Sequence, residues 1–230
     1  MVLKNIGALN YSIGSISLQI RYSPNGLIKH LDNLIAKYNF INSTYHLIKP
    51  EIKLSIFVVS HLSFRKPKKT KLILRGYSYD LKVYKKESHL FITDNSNLLI
   101  LQTEYGKGTL IIKRQDNLNL ALVLNRFFLI ALVGLFRPLG LFHLHAAGVA
   151  KNGHKILFVS QNGQGKSTSV LRLFSEGWKY LSDDAVFLKY NNKRQVMALS
   201  LTSELRLKKQ NPILNKDSPY SLQKFFKRNN

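Results

Sequence analysis

The sequence of 230 residues contains no cysteine. Disulfide bonds, thiolate metal sites and cysteine nucleophiles are therefore excluded for this chain. Residues 1–7 do not combine a charged segment with a long apolar run, so the chain does not begin with the pattern of a secretory signal peptide. Both absences favour a cytoplasmic protein.

Acidic residues are scarce. The sequence has 12 Asp and Glu and 35 Lys and Arg, which gives a formal net charge of +23. Such an excess is typical of proteins that bind nucleic acid or an anionic membrane. Here the basic residues are dispersed, and their densest cluster lies at residues 65–71. We therefore expect a basic surface that favours an acidic protein, an acidic peptide or ATP, with nucleic-acid binding as the weaker alternative.

Long apolar runs are also few. The main candidate lies in a helix predicted from residue 118 to about residue 135, which Arg126 interrupts and the pair Arg137-Pro138 ends. Its uninterrupted part is shorter than the roughly 18–20 residues that cross a bilayer. We therefore expect no transmembrane span and predict a buried helix packed between two halves of the chain.

The most informative segment that is present covers residues 155–189. An apolar strand at 155–159 runs into a glycine-bearing loop at 160–165, and Lys166 and Ser167 then open a stretch with helical spacing of apolar residues. Glycines let backbone N–H groups converge on phosphate oxygens, and the positive end of the following helix points to the same place. A lysine adds a mobile charge, and a serine hydroxyl suits Mg²⁺. The pattern predicts a nucleoside-triphosphate site.

Two adjacent carboxylates, Asp183 and Asp184, follow the next apolar stretch at residues 178–182. Adjacent carboxylates repel each other, and they are costly beside a buried strand unless a cation or hydrogen bonds compensate. A metal ion that bridges nucleotide phosphates would supply that compensation. The alternative is a solvent-exposed turn, which the apolar residues at 185–188 disfavour because they continue directly after the pair.

These elements together resemble the catalytic domain of HPr kinase/phosphorylase, over about residues 120–190. The resemblance is carried by 145–149 (His-Ala-Ala-Gly-Val), by Gly163, Gly165, Lys166 and Ser167, by Gly177, and by 182–184 (Ser-Asp-Asp). The family phosphorylates a serine of a protein with ATP and belongs to a group that shares a core with phosphoenolpyruvate carboxykinase. The sequence departs from the family pattern at Ser160, where the family usually has Gly, and at Asn162, where the HPr enzymes usually have Ser.

The resemblance implies an α/β fold, namely a P-loop nucleotide-binding domain of the HPr kinase/phosphoenolpyruvate-carboxykinase type, with ATP and Mg²⁺ as cofactors. The residues that it implies for the nucleotide are Asn162, Gly163, Gln164, Gly165, Lys166, Ser167 and Thr168. Ser167 and Asp183 would hold Mg²⁺. Asp183 and Asp184 would divide metal binding and general-base work, with Asp184 favoured as the base and His145 supporting it. His143, on the same side of its strand, has no matching position in the family.

The whole chain is predicted to contain a small mixed α+β domain at 1–115, a connecting apolar helix at 116–138 and the nucleotide-binding domain at 139–230. The elements predicted for the first domain are strands at 13–22 and 52–59, a turn at 24–26, an amphipathic helix at 27–38 and five short antiparallel strands between residues 71 and 114. In the last domain a tight turn at Asn152-Gly153 joins two strands, and Gly177 ends a helix. Residues 203–230 are polar and basic, which suggests a shortened C-terminal part.

We therefore expect an ATP-dependent kinase that transfers the γ-phosphate to a serine of a protein or peptide. The first alternative is a catalytically degenerate member of the same family that binds ATP and acts as a regulator. The second is a basic protein that binds nucleic acid. A homo-oligomer is left open by the sequence.

Overall fold

The computed structural model describes residues 6–23, 27–38, 40–42, 50–76, 80–114, 120–161, 163–192 and 195–201. The chain divides into two compact units. The first is formed by Met1–Ala36 and Phe40–Gly140, and the second by Lys37–Asn39 and Leu141–Asn230. The turn predicted at 24–26, the polar segment at 203–230 and the predicted ligand Asn162 lie outside the described residues.

Among its described residues, the first unit has a nine-stranded mixed sheet and two α-helices. Its elements are β1 (Gly7–Ile13), β2 (Ile16–Tyr22), α1 (Leu27–Ala36), β3 (Ile41–Asn42), β4 (Ile52–Val59), β5 (Lys71–Arg75), β6 (Lys82–Lys86), β7 (His89–Thr93), β8 (Asn97–Gln102), β9 (Lys107–Lys113) and α2 (Leu120–Phe136). The strand order is β3-β1-β2-β4-β9-β8-β7-β6-β5. Strand β4 pairs in parallel with β2 and β9, and the other neighbours are antiparallel.

The strands of this sheet follow the polar–apolar alternation of the sequence. Strand β4 buries every second residue, with Ile52, Leu54 and Ile56 fully inaccessible to solvent. Helix α1 likewise buries one apolar stripe, which includes Leu27 and Leu31. Because period-2 and period-3.6 patterns each place apolar residues on one face, the strand at 52–59, the helix after residue 27 and the five-strand series are confirmed.

Helix α2 is the apolar core helix of this unit. Its buried stripe packs toward β8 and β9 and consists of Val123, Leu124, Phe127, Phe128, Ala131, Leu132, Leu135 and Phe136. Arg126, which interrupts the apolar sequence, lies 3.5 Å from the carboxylate of Asp94, and Asp94 also accepts the backbone N–H of Asn97 at 2.8 Å. The arginine therefore ties the helix to the turn before β8.

By length and composition alone this helical segment could also cross a membrane. Leu120–Leu139 has a mean hydropathy of 1.9, and 44% of that stretch is buried inside the protein. A fully buried stripe that packs on a sheet is what the core helix of a soluble protein has. The structure is therefore consistent with a soluble protein.

The second unit contains two small antiparallel sheets and one helix among its described residues. Its elements are β10 (Phe142–Leu144), β11 (Ala147–Lys151), β12 (His154–Phe158), α3 (Lys166–Ser175), β13 (Lys179–Ser182), β14 (Val186–Tyr190) and β15 (Val196–Ser200). One sheet has the order β10-β14-β15 and the other has the order β12-β11-β13. All pairs in both sheets are antiparallel.

The predicted α/β fold, with a P-loop domain, is wrong. Such a domain has a parallel sheet with helices on its faces. The described part of this chain is instead dominated by strands, with a large mixed sheet in one unit and three α-helices in all. The physical reason in the second unit is the long-range pairing of β11. The hairpin at Asn152-Gly153 pairs β11 with β12, and β13 pairs with the other side of β11, so β11 lies between the two strands that α3 connects and the ladder is antiparallel throughout.

Candidate functional site

The chain crosses between the two sheets of the second unit at two points, residues 145–146 and residues 183–185. The strands on either side hold these crossings opposite each other through two backbone pairs, Leu144 with Val186 and Gly148 with Ser182. As a result, Nδ1 of His145 lies 2.8 Å from a carboxylate oxygen of Asp184 and 3.0 Å from its carbonyl oxygen. The register of the strands thus brings together two of the predicted site residues.

The contact between His145 and Asp184 orients both side chains. Both partners of Nδ1 are acceptors, so Nδ1 carries a proton and donates it to Asp184. The two side chains are 44% and 48% exposed. Exposed ion pairs contribute only about 0–1 kcal/mol to stability. The contact therefore matters for the direction of the carboxylate more than for the fold.

The two neighbouring aspartates lie in different environments. They occupy a bend between β13 and β14, where the buried hydroxyl of Ser182 donates to the carbonyl oxygen of Ala185 at 3.0 Å. Asp183 is only 8% exposed, whereas the side chain of Asp184 is half-exposed. The bend turns one carboxylate into the unit and the other outward, which suits two different roles.

The glycine-bearing loop leaves the same edge of the sheet as the aspartates. Strands β12 and β13 flank β11 and both run antiparallel to it, so they run parallel to each other. The last residue of β12, Phe158, pairs with Ala147, and the last residue of β13, Ser182, pairs with Gly148. Because neighbouring strands are about 4.8 Å apart, these two strand ends are separated by roughly 10 Å. The topology therefore gathers the loop, His145 and the aspartates at one edge.

The loop delivers an open helix end to that edge. Gly163 and Gly165 have φ values of +85° and +88°, a left-handed conformation that glycine adopts without strain. Helix α3 begins at Lys166, and no side-chain cap in the described part of the chain bonds to its first turn, which also lacks acidic residues. The first-turn N–H groups therefore remain suited to an anion. Val170 anchors the helix on Ala147 of β11.

Lys166 lies inside the loop and holds it closed. The side chain is 9% exposed, and its ammonium donates to the carbonyl oxygens of Ser160 at 2.6 Å and Gln161 at 3.3 Å. The N–H of Gln161 also donates to the side-chain oxygen of Gln164 at 3.2 Å. Ser160 has no positive φ value, so the loop does not need glycine at this position. A buried ammonium within the loop is where a phosphate would find its counter-charge.

The described residues predicted for the site form two groups, one at the crossings between the sheets and one at the start of helix α3. His145 and Asp184 are in direct contact, while Gly163, Gln164, Gly165, Lys166, Ser167 and Thr168 form the end of the loop and the first turn of α3. Among the described residues there is no cluster of three or more His, Cys, Asp or Glu that could hold a metal ion. A metal ion at this edge would need the hydroxyl of Ser167 and oxygens of a bound ligand besides the carboxylates.

His143 is a residue that the family resemblance does not assign. It lies in β10, two positions before His145, and its ring packs edge-on against Phe187 at 5.5 Å. Its Nε2 is buried and has no hydrogen-bond partner among the residues that the structure describes. Burial lowers the pKa of His143 from 6.5, Asp184 opposes that shift, and His145 adds to it. The alternation His143-x-His145 was the sequence pattern that could indicate its proximity to the site.

No protein-family model and no curated protein matches this chain. The resemblance to HPr kinase/phosphorylase therefore stays a prediction.

The lowered pKa of His143 predicts a specific loss of stability in acid. Between the lowered pKa and 6.5 the unfolded chain binds more protons than the folded one, so this contribution is complete above pH 6.5 and is lost as the pH falls through that range. Urea unfolding at pH 7.5 and at pH 5.5 measures it. His143→Gln should show a smaller acid-induced decrease in unfolding free energy than the wild type. The control His154→Gln changes an exposed histidine and should behave as the wild type. An equal decrease in all three proteins would contradict the prediction.

Proposed function

We propose that the protein is an ATP-dependent kinase that transfers the γ-phosphate of ATP to a serine of a protein or peptide. One observation carries the proposal. The N-terminus of helix α3, with the buried Lys166, lies at the same edge of the sheet as the carboxylate of Asp184, which His145 orients. Phosphoryl transfer needs positioning and neutralisation of charge more than covalent help from the protein. This edge has cationic groups that can neutralise phosphate charge and a carboxylate that can position the acceptor hydroxyl.

The loop and the first turn of α3 would bind the phosphates of ATP. Backbone N–H groups of the loop and of Lys166, Ser167 and Thr168 would bond to phosphate oxygens, and the helix end adds a partial positive charge. The ammonium of Lys166 would exchange its bonds to the carbonyl oxygens of Ser160 and Gln161 for bonds to phosphate. A phosphate oxygen carries negative charge and attracts the ammonium more strongly than a neutral carbonyl oxygen does, so this exchange favours the bound state.

The donor set at this edge fits Mg²⁺. The buried carboxylate of Asp183 and the half-buried hydroxyl of Ser167 are hard oxygen ligands. Mg²⁺ is usually held by one or two carboxylates together with substrate phosphates, which agrees with a site that has few protein ligands. When bound, the ion would neutralise charge that develops on the phosphates.

Asp184 would act as the general base. The hydroxyl proton of the acceptor serine passes to the Asp184 carboxylate while the serine oxygen forms a bond to the γ-phosphorus. The bond from that phosphorus to the bridging oxygen breaks, and ADP leaves. His145 holds the carboxylate in direction through Nδ1–H, so it is a positioning residue in this scheme.

A kinase of this kind would work in the cytoplasm, where ATP and Mg²⁺ are abundant. Its acceptor would be a protein or peptide, and nucleic acid is not needed to explain the site. The basic composition, with a net charge of +23, would favour ATP and acidic partners.

Lys166→Ala should weaken ATP binding by about 10–100-fold, because a buried charged donor to phosphate is lost. Isothermal titration with ATP and Mg²⁺ measures the affinity. The matched control is Lys155→Ala, which removes an exposed lysine from β12 and should leave the affinity unchanged. Affinity that survives Lys166→Ala, or that falls equally with Lys155→Ala, would count against a phosphate site in this loop.

Asp184→Asn should keep ATP affinity near that of the wild type but lower phosphate transfer by about 10²–10⁴-fold, since the base is lost and the phosphate-binding groups are not. Transfer is measured with γ-labelled ATP on an arrayed library of serine-containing peptides. Asp32→Asn, an exposed aspartate of α1, is the matched control. Wild-type protein that binds ATP but transfers phosphate to no peptide would instead favour an ATP-binding regulator.

A further inference from the structure

Strand β5 is an exposed edge of the nine-stranded sheet. It is the last strand in the order, and no described strand pairs with its outer side. All five of its residues are exposed, and its centre consists of Leu72, Ile73 and Leu74, which are 42%, 48% and 56% exposed. An apolar edge strand of this kind offers unpaired backbone N–H and C=O groups to another extended chain.

A groove continues from this edge toward helix α2. Its volume is about 590 Å³, and its apolar lining includes Leu74, Leu90, Ile92, Leu101, Ile130 and Val133. Its lining also includes the charged residues Lys85, Glu87, Glu104 and Arg137. An apolar side chain from a strand added to β5 could therefore enter a preformed apolar space next to Leu74.

The register of β5 distributes its side chains in an unusual way. The pairing of β5 with β6 shifts in register between Leu72 and Leu74. Leu74 and Lys71 pair with Val83 and Lys85. Leu72 and Arg75 pair with Tyr84 and Lys82. Paired residues share a face, and alternate residues of β6 point to opposite faces. Each face of β5 thus presents one leucine and one cation.

The occupant that complements this pattern carries the order acidic–apolar–apolar–acidic. Its apolar residues would lie opposite Leu72 and Leu74, and its acidic residues opposite Lys71 and Arg75. Ile73, which the register shift leaves without a partner in β6, would be passed over in the same way by the added strand. The order reads the same in both directions, so it suits parallel and antiparallel addition. Lysines on the neighbouring strand β6 and in the basic cluster at 65–71 add attraction for an acidic chain.

A second copy of this chain and a nucleic acid are weaker occupants. Antiparallel pairing of β5 with itself would set Lys71 opposite Arg75, and like charges directly opposite each other are destabilising. A nucleic acid would neutralise the cations but would leave Leu72, Leu74 and the apolar groove uncovered. The cations that discourage self-pairing are thus the ones that select an acidic partner.

We propose that β5 binds an extended acidic–apolar segment of a partner protein as a tenth strand of the sheet, with one apolar side chain of that segment in the groove beside Leu74. This interaction surface lies in the first unit and is independent of the kinase proposal, so either can fail alone.

Fluorescence anisotropy with a labelled peptide tests the proposal. The probe is an eight-residue peptide, Ser-Thr-Glu-Val-Val-Glu-Thr-Ser, and its charge-swapped control has Lys in place of both Glu. Wild-type protein should bind the Glu peptide about tenfold more tightly than the Lys peptide. The double variant Lys71→Glu with Arg75→Glu should reverse that preference. Lys29→Glu with Lys107→Glu, which makes the same change in net charge at exposed sites elsewhere in the unit, should keep it.

A second peptide distinguishes binding as an added strand from a purely ionic contact. A Glu peptide with N-methylated valines cannot form the ladder, and it should bind more weakly than the unmodified peptide. The proposal is overturned by the absence of binding to the Glu peptide, by equal binding of the N-methylated form, or by a preference that the Lys71 and Arg75 reversal does not change. A wild-type dimer in sedimentation that this reversal dissociates, or binding of a DNA oligonucleotide in place of the peptide, would likewise overturn it.

Discussion

The pairing of strand β11 with both β12 and β13 is the constraint on which the candidate site depends. Two strands that flank a common antiparallel partner must end at the same edge, so the chain that leaves β12 and the chain that leaves β13 emerge together. The residues just before β11 reach that edge as well. One short strand therefore gathers an open helix end, a histidine and a pair of carboxylates that come from three separate parts of the sequence.

The charged side chains at this edge make contacts that a bound ligand could replace. The buried ammonium of Lys166 is satisfied by carbonyl oxygens of its own loop, which are neutral acceptors that a phosphate can replace. The contact between His145 and Asp184 is half-exposed, so it directs a carboxylate at little energetic cost. His143 behind it stays neutral more readily because burial lowers its pKa. Shifted pKa values of this kind are common at functional sites.

Much of the local structure could be predicted from the sequence, because single residues carry the necessary signal. Asn152-Gly153 forms the predicted hairpin turn with positive φ values of 51° and 80°, and Gly177 ends α3 with a φ of +84°. The sheet order could not be predicted. Turn and helix signals fix which segments become strands, but the insertion of β11 between β12 and β13 is a long-range choice with no local signature, and the α/β expectation failed there. The helix that follows the glycine-bearing loop was also predicted from the sequence, and it forms α3. The bonds from Lys166 to the carbonyl oxygens of its own loop could not be predicted, because they depend on distances that sequence does not encode.

In the proposed site, one edge of the sheet brings the loop and the aspartates to a common complex of nucleotide phosphates and a metal ion. Nuclear magnetic resonance with Mn²⁺ and a non-hydrolysable ATP analogue tests it most directly, since a paramagnetic ion broadens only nearby amides. We expect the amide signals of Lys166, Ser167, Asp183 and Asp184 to broaden together, and only when the nucleotide is present. Broadening of the loop without the aspartates, or broadening centred on acidic residues elsewhere in the chain, would contradict the claim.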